Sequence, residues 1–283
     1  DVYKRQTVYG CLPPVPEAEI PDRHLGLVTA QEIGDLQHKL DLLADAAEEG
    51  LDLDGLLTLA HTAPPLADES APLSPVADVP VRIAVARDRA FCFYYADNFD
   101  VLRALGAEIV EFSPAGDEKL LEHIDGLYLG GGYPELYAEQ LAAHRTMRES
   151  IRAAVQGGLP TIAECGGFLY LHRTLDGAEM AGVIDADAHM TGRLQPFGYV
   201  TLTAGRDNLL CRAGGTIRAH EFHYAQSGDN GDAFRAEKPN GRAWDCVHAS
   251  ETLYAGFPHL YFRANPAFAQ SFVRACAQGR EPI

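Results

Sequence analysis

Leu159-Pro160-Thr161-Ile162-Ala163-Glu164-Cys165-Gly166-Gly167-Phe168-Leu169-Tyr170-Leu171 is the stretch from which the fold can be read. Residues 160–164 form a short, mostly apolar run bounded by proline and glycine, the pattern of a buried strand. Gly166-Gly167 turn the chain, and Phe168 to Leu171 continue as a helix. A cysteine at such a turn has the form of a nucleophile elbow, with sulfur in place of a serine oxygen. The turn forces the Cys165 side chain out at the C-terminal edge of the sheet. Gly166 lets a substrate approach the backbone, and the helix N-terminus just beyond favours a thiolate. The alternative is a small buried cysteine in a tight turn.

Moving outward, Asp125 to Leu129 (DGLYL) is a second strand, and it runs into Gly130-Gly131-Gly132-Tyr133-Pro134-Glu135. Glycines at a strand end expose backbone N–H groups that can face a developing oxyanion, although a glycine-rich βα turn is common in its own right. Val81 to Ala86 and Glu108 to Phe112 are two further strands. Asn98 to Leu105 and Glu135 to Gln156 read as the helices between them. Strands alternating with helices predict an α/β fold with a doubly wound, mostly parallel sheet covered on both faces. Farther on, Tyr199 to Thr203, Thr216 to Tyr224 and Thr252 to Gly256 read as antiparallel additions, and Pro266 to Ala277 as a last helix.

Upstream the texture differs. Residues 1–6 (DVYKRQ) look like translated adapter sequence, so the chain is expected to be the C-terminal part of a longer protein. Thr7 to Leu12 reads as a strand. Residues 29–60 read as helical, with Thr29 and Glu32 as a capping box and Leu36, Leu40, Leu43 and Ala47 at helical spacing, followed by a second short helix from Asp54 to Ala60. Residues 61–80 carry five prolines and no periodicity, which marks a linker between 7–60 and 81–283.

Composition narrows the partners. The chain has 283 residues, with 23 Lys plus Arg against 40 Asp plus Glu and a formal charge of −17. Such a surface argues against nucleic acid or an anionic membrane as the main partner. No apolar run reaches the ~20 residues of a membrane helix, and no signal peptide is visible. The six cysteines are scattered and none sits in a CxxC. Free thiols in a reducing cytoplasm are therefore expected.

A cysteine nucleophile needs a base, usually histidine. Among eleven histidines the C-terminal candidates are His220, His223, His248 and His259, the last within Gly256-Phe257-Pro258-His259-Leu260-Tyr261-Phe262. In His220-Glu221-Phe222-His223 strand alternation is expected to place both histidines on one face, as a substrate-facing surface. No third metal ligand is evident beside them, so no metal site is expected.

These residues carry a family resemblance. Ala86-Arg87-Asp88-Arg89-Ala90-Phe91-Cys92-Phe93-Tyr94-Tyr95, Phe112-Ser113-Pro114, Gly130 to Glu135, Ala163 to Gly167 and His220 to Tyr224 resemble the class I glutamine amidotransferase domain of the cobyrinate or hydrogenobyrinate a,c-diamide synthases of cobalamin biosynthesis. Pro21-Asp22-Arg23-His24-Leu25-Gly26-Leu27-Val28 resembles the end of that family's ATP-dependent, P-loop synthetase domain, which makes residues 7–60 its C-terminal remnant. The resemblance implies that Cys165 attacks the glutamine side-chain amide, that His259 is its base, and that Gly130, Gly131, Gly132 and Gly166 serve the oxyanion and glutamine. Glutamine, a corrin tetrapyrrole and the absent synthetase domain are the implied partners, and a homodimer is compatible with it. ATP and magnesium are implied for the full-length enzyme. A phosphate-binding GxxxxGK[ST] loop is lacking here, and none of the four lysines (Lys4, Lys39, Lys119, Lys238) follows a glycine. This fragment is therefore expected not to bind ATP productively. Typical class I amidotransferases carry a Glu two residues after the catalytic His. That position is Tyr261, as the cobyrinate branch implies, so the group orienting His259 is undetermined. Nickel-sirohydrochlorin a,c-diamide synthase and cobyric acid synthase are close alternatives. A non-amidotransferase cysteine protein on the same scaffold is a more distant one.

Overall fold

The strand Val81–Ala86, buried along nearly its whole length, organises the molecule. A computed structural model of the protein describes residues 6–23, 26–67 and 72–279. The chain divides into two units, Asp1–Ala71 and Pro72–Ile283.

In the first unit, α1 is Leu36–Gly50 and α2 is Leu53–Ala60, the latter capped by Asp52, whose Oδ1 accepts from Gly55 N at 2.9 Å. The expected strand at residues 7–12 is not formed. Tyr9 to Cys11 instead bond to the turn between the helices, through a single bridge of Gly10 with Leu51 and the bonds Cys11 N to Gly50 O and Asp52 N to Tyr9 O. Pro13-Pro14 then remove the donors a longer ladder would need. The Thr29–Glu32 pair does form, with Thr29 Oγ1 donating to Glu32 Oε2 at 2.6 Å, but it closes only the 3-10 turn Ala30–Glu32. Ile33 is extended and Gly34, a poor helix former, separates that turn from α1. A short antiparallel pair joins Asp22–Arg23 to Gly26–Leu27, while His24 and Leu25 of the upstream motif lie outside the described residues.

The second unit begins with β1 (Val81–Ala86), α3 (Ala96–Ala104), β2 (Ala107–Phe112) and β3 (Gly126–Leu129). Next come α4 (Ala138–Ala143), α5 (Arg145–Gln156), β4 (Thr161–Glu164) and α6 (Gly166–Tyr170). Then follow β5 (Gly198–Ala204), β6 (Thr216–Glu221), β7 (Phe234–Glu237) and β8 (Ala243–Cys246). The chain closes with β9 (His248–Ala249), β10 (Leu253–Gly256), β11 (His259–Leu260) and α7 (Pro266–Gln278). The central sheet has the order β9-β10-β4-β3-β1-β2 and is parallel except at β9. A five-stranded antiparallel sheet runs β8-β7-β5-β6-β11.

Val81, Ile83, Val85, Tyr128 and Ile162 pack on one face of the central sheet with Phe99 and Leu102 of α3 and Phe268 and Phe272 of α7. Ala84, Ala86, Leu127, Leu129 and Ala163 pack on the other with Met147 and Ile151 of α5 and Phe168 of α6. The period of two along each strand thus serves two cores. Each large apolar side chain removed from water there contributes about 1.5–3 kcal/mol.

Two sequence expectations need correction in this unit. Residues 135–156 are not one helix: α4 and α5 are separated at His144, and the buried Arg148 guanidinium takes the Ala142 carbonyl at 2.9 Å, satisfying the broken end. Leu253–Gly256 is no antiparallel addition but a parallel neighbour of β4, pairing Gly256 with Glu164. Three of its four residues are buried, so it belongs in the covered sheet rather than on a half-solvated one. Among the described residues, no helix is long and apolar enough to cross a membrane.

Candidate active site

Cys165 sits between the end of β4 and the start of α6 with φ 47° and ψ −100°, a left-handed backbone that a non-glycine residue rarely adopts. The strain is held by bonds on both sides: Cys165 N donates to Gly256 O at 2.8 Å and Leu169 N to Cys165 O at 2.9 Å. Gly167 N donates to Gly130 O at 2.8 Å, which docks α6 against the end of β3. Cβ atoms are excluded at both glycines of the elbow. At Gly166 one would lie 2.9 Å from Gly132 N, and at Gly167 it would enter the Leu129 carbonyl.

The three glycines after β3 are not equivalent. Gly130 N donates to Tyr94 Oη at 2.9 Å, and Gly131 N donates to Phe93 O at 3.3 Å. Gly132 N and Gly166 N have no hydrogen-bond partner among the described residues, and they lie next to each other at the elbow. These two amides are the ones placed to receive an oxyanion.

His259 is brought over this edge by β11, which pairs antiparallel with β6 so that His259 opposes His220. Its ring lies against Gly131, where a Cβ would strike Cε1. Glu164, the residue before Cys165, reaches beneath it. Glu164 Oε2 is 3.7 Å from His259 Nδ1, with the two side chains 2% and 14% exposed. Burial pushes the imidazolium down, but the neighbouring Cys165 and the Glu164 carboxylate outweigh it, so His259 is pushed up to about 10. It is therefore a base able to take a thiol proton and hold it. The five residues of α6 sum few peptide dipoles, so His259 is the stronger source of positive charge at the sulfur.

A titration follows with a definite sign. Both partners favour the protonated ring, so His259 is expected to keep its proton through pH 6.5, the range of an unpaired imidazole, and to lose it near pH 10. Cys165→Ser should move that midpoint down by more than one pH unit. Two-bond 1H–15N spectra of labelled imidazoles measure both midpoints, and a wild-type midpoint near 6.5 would show the pair uncoupled.

The surrounding side chains divide into supports and pocket walls. Asn98 is buried and clamps the segment carrying His259, donating to Leu260 O at 2.8 Å and accepting from Phe262 N at 2.9 Å. Tyr261 turns away to donate to Asp97 Oδ2 at 2.8 Å. Tyr94 is a core residue, donating to Ala86 O and accepting from Gly130 N. His248 is directed to the Asp229 carbonyl at 3.0 Å.

The expectation of one shared face for His220 and His223 is overturned. Strand β6 ends at Glu221, and residues three apart in an extended chain point to opposite sides. His220 lines a cavity of about 680 Å³ with Tyr95, Tyr199, Arg218 and Tyr261. Glu221 and His223 line another of about 550 Å³ with Gln195 and Trp244. The His223 ring stacks on Phe257 at 3.7 Å, and its Nε2 is 3.6 Å from Glu221 Oε2. Among the described residues, no three His, Cys, Asp or Glu side chains group to hold a metal ion.

Residues 82–267 match the CobB/CobQ-like glutamine amidotransferase domain. The chain belongs to that family. Curated relatives agree. The cobyrinate a,c-diamide synthase of Picrophilus torridus is 40% identical over 274 residues, covering 95% of this chain and 60% of that protein. The synthase of the same name from Listeria innocua is 38% identical over 275 residues, covering 94% and 60%. The chain thus spans about 60% of the length of these relatives. Among solved structures, PurLQS from Thermotoga maritima superposes with a TM-score of 0.50 at 16% identity, over 70% of this chain and 98% of that one, a likeness of fold alone. The α/β fold with its mostly parallel sheet is thus that of class I glutamine amidotransferases.

Glu164 and Asn98 were not legible as site residues. The available signal was a charged residue ending an apolar strand, since a buried carboxylate needs partners. Nothing in the local sequence names those partners.

Proposed function

We propose that this chain hydrolyses glutamine and supplies the ammonia for an ATP-dependent a,c-diamide synthase acting on cobyrinate or hydrogenobyrinate. The observation that carries this reading is the strained elbow at Cys165 with the unengaged amides of Gly132 and Gly166 beside it and the buried Glu164–His259 pair adjoining. The names of the relatives favour a cobyrinate a,c-diamide synthase over a nickel-sirohydrochlorin a,c-diamide synthase or a cobyric acid synthase.

Cys165 Sγ, with its proton already held on His259, attacks the side-chain carbonyl carbon of glutamine. The oxyanion accepts from Gly132 N and Gly166 N. His259 then gives the proton to the departing nitrogen, ammonia leaves, and a γ-glutamyl thioester remains on Cys165. A water deprotonated by the same imidazole attacks the thioester, releasing glutamate and restoring the thiol. Ammonia passes on to the a and c carboxylates of the corrin. The residues present here do not fit ATP and magnesium: the sequence lacks a GxxxxGK[ST] loop. Residues 7–60 belong, in this reading, to the end of the synthetase domain. His220 lines one cavity and Glu221 and His223 another, and these three are the candidates for substrate contact.

The test is covalent labelling with the glutamine analogue 6-diazo-5-oxo-norleucine, read by intact mass and peptide mapping. One adduct on Cys165, suppressed by excess glutamine and slowed at least tenfold in His259→Ala, is expected. Folded protein that takes no label, here and as the full-length gene product, would refute the reading and favour a cysteine protein of another kind on this scaffold.

A further inference from the structure

We propose that Glu164 is the positioning carboxylate of the Cys165–His259 pair, supplied from the residue before the nucleophile and not from the position two residues after the histidine. The inference rests on the glutaminase reading above and deepens it. Tyr261 occupies the usual carboxylate position, and its hydroxyl is committed to Asp97. His259 nevertheless faces a buried carboxylate, with Glu164 Oε2 3.7 Å from Nδ1.

The geometry follows from the sheet. Gly256 pairs with Glu164 in the parallel β10–β4 ladder, so the chain leaving β10 passes over the end of β4 and brings His259 with it. At the elbow the backbone delivers Cys165 to one side of that segment, while the Glu164 side chain reaches it from the other. Both carboxylate oxygens are anchored. Leu260 N donates to Oε1 at 3.0 Å and Tyr128 Oη donates to Oε2 at 2.9 Å. One anchor belongs to the residue next to His259, so the carboxylate and the ring move as one body. With Nδ1 directed to Glu164, the ring presents Nε2 and Cε1 over Gly131. This selects the tautomer with the proton on Nδ1, which leaves Nε2 as the acceptor for the thiol proton.

A clamp for Leu260 N and Tyr128 Oη alone would not need a charge, since an amide could accept from Leu260 N through its oxygen and donate to the Tyr128 oxygen through its NH2 group. A carboxylate at 2% exposure costs several kcal/mol unless a cation forms beside it. His259 becomes that cation when it takes the proton of Cys165. The other titratable groups facing the ring are Cys165 itself and His220, which opposes it in the β6–β11 ladder.

Glu164→Gln tests the assignment. Leu260 N–H requires an acceptor, so the amide oxygen takes the Oε1 place and the NH2 group faces Nδ1. The ring then accepts at Nδ1 and carries its proton on Nε2, where it cannot receive the thiol proton. We expect the glutamine kcat to fall about 10³–10⁴-fold, as for an orienting Asp replaced by Asn, with KM changed less than about threefold. Alkylation of Cys165 by iodoacetamide should slow in parallel, and the His259 titration midpoint should drop below about 10. Tyr128→Phe, which keeps the charge and removes only a donor, should retain kcat within about tenfold. A Glu164→Gln protein with kcat within threefold of wild type and an unmoved His259 midpoint would reduce Glu164 to a structural clamp. If Glu164→Gln does not fold, the neutral tautomer of His259 read by 15N shifts in Cys165→Ser decides: a proton on Nδ1 supports the proposal and one on Nε2 overturns it. Failure of the glutaminase reading shows separately, as a wild type that neither hydrolyses glutamine nor takes the analogue. The alkylation rates and the tautomer still report on Glu164 in that case.

Discussion

Cys165→Ser is expected to abolish glutamine hydrolysis, by on the order of 10⁴-fold or more, while leaving the fold and its thermal midpoint unchanged. Removing the nucleophile of a preorganised pair costs nearly all of the chemistry that pair performs. Serine nearly matches the shape of cysteine, so the 47° φ and the bonds to Gly256 and Leu169 are retained. Its hydroxyl, however, gives up its proton far less readily, and the shorter C–O bond draws the oxygen back from the position that sulfur reaches. The held backbone leaves no freedom to correct that shift. Glutamate release measures the rate, and mapping the analogue adduct measures the site. Burial pushes the thiols of Cys246 and Cys276 up and leaves them unreactive, while the exposed Cys11 is the thiol that mapping must separate from Cys165. An adduct that persisted in Cys165→Ser would place the nucleophile elsewhere.

Gly167→Ala is the second large effect, and it falls on stability first. A Cβ at Gly167 would enter the Leu129 carbonyl and lie 2.6 Å from both Leu129 C and Leu129 Cβ. These are mainly backbone atoms of a buried central strand, so no flexible side chain can yield. The only relief is to part α6 from β3, which breaks the bond from Gly167 N to Gly130 O and carries the oxyanion amides away from Cys165. Overpacking of this kind costs about 3 kcal/mol. For a unit of this size that is roughly 6–12 °C in thermal midpoint. Activity should be lost as well, even at temperatures where the variant is folded. Gly192→Ala is the control: nothing lies within 4 Å of its Cβ, and its midpoint should stay within about 2 °C of wild type. Scanning calorimetry of both variants decides. Equal midpoints would mean that β3 and α6 are less tightly joined than their contact implies.

What the sequence determined by itself was local. The strand–Cys–Gly-Gly–helix turn at residues 160–171, the apolar runs at 81–86 and 126–129, and the glycines at 130–132 are each readable because short-range sterics set them. Glycine positions, apolar periodicity and proline placement act within a few residues. They sufficed for the α/β class, the parallel sheet edge and the elbow that carries Cys165. Tertiary structure decided how distant segments meet. Leu253–Gly256 reads as an ordinary strand, and only its place beside β4 makes it parallel and delivers His259 to Cys165. Which glycine amides stay unengaged depends on Tyr94 and Phe93, some 37 residues upstream, as well as on the Gly130–Gly132 run itself. Glu164 reads as the flank of a cysteine, and its contact with His259 crosses 95 residues of chain. Residues that meet only through the sheet's strand order leave no periodic trace, because a carboxylate's partner is set by the register of its strand and not by the letters beside it.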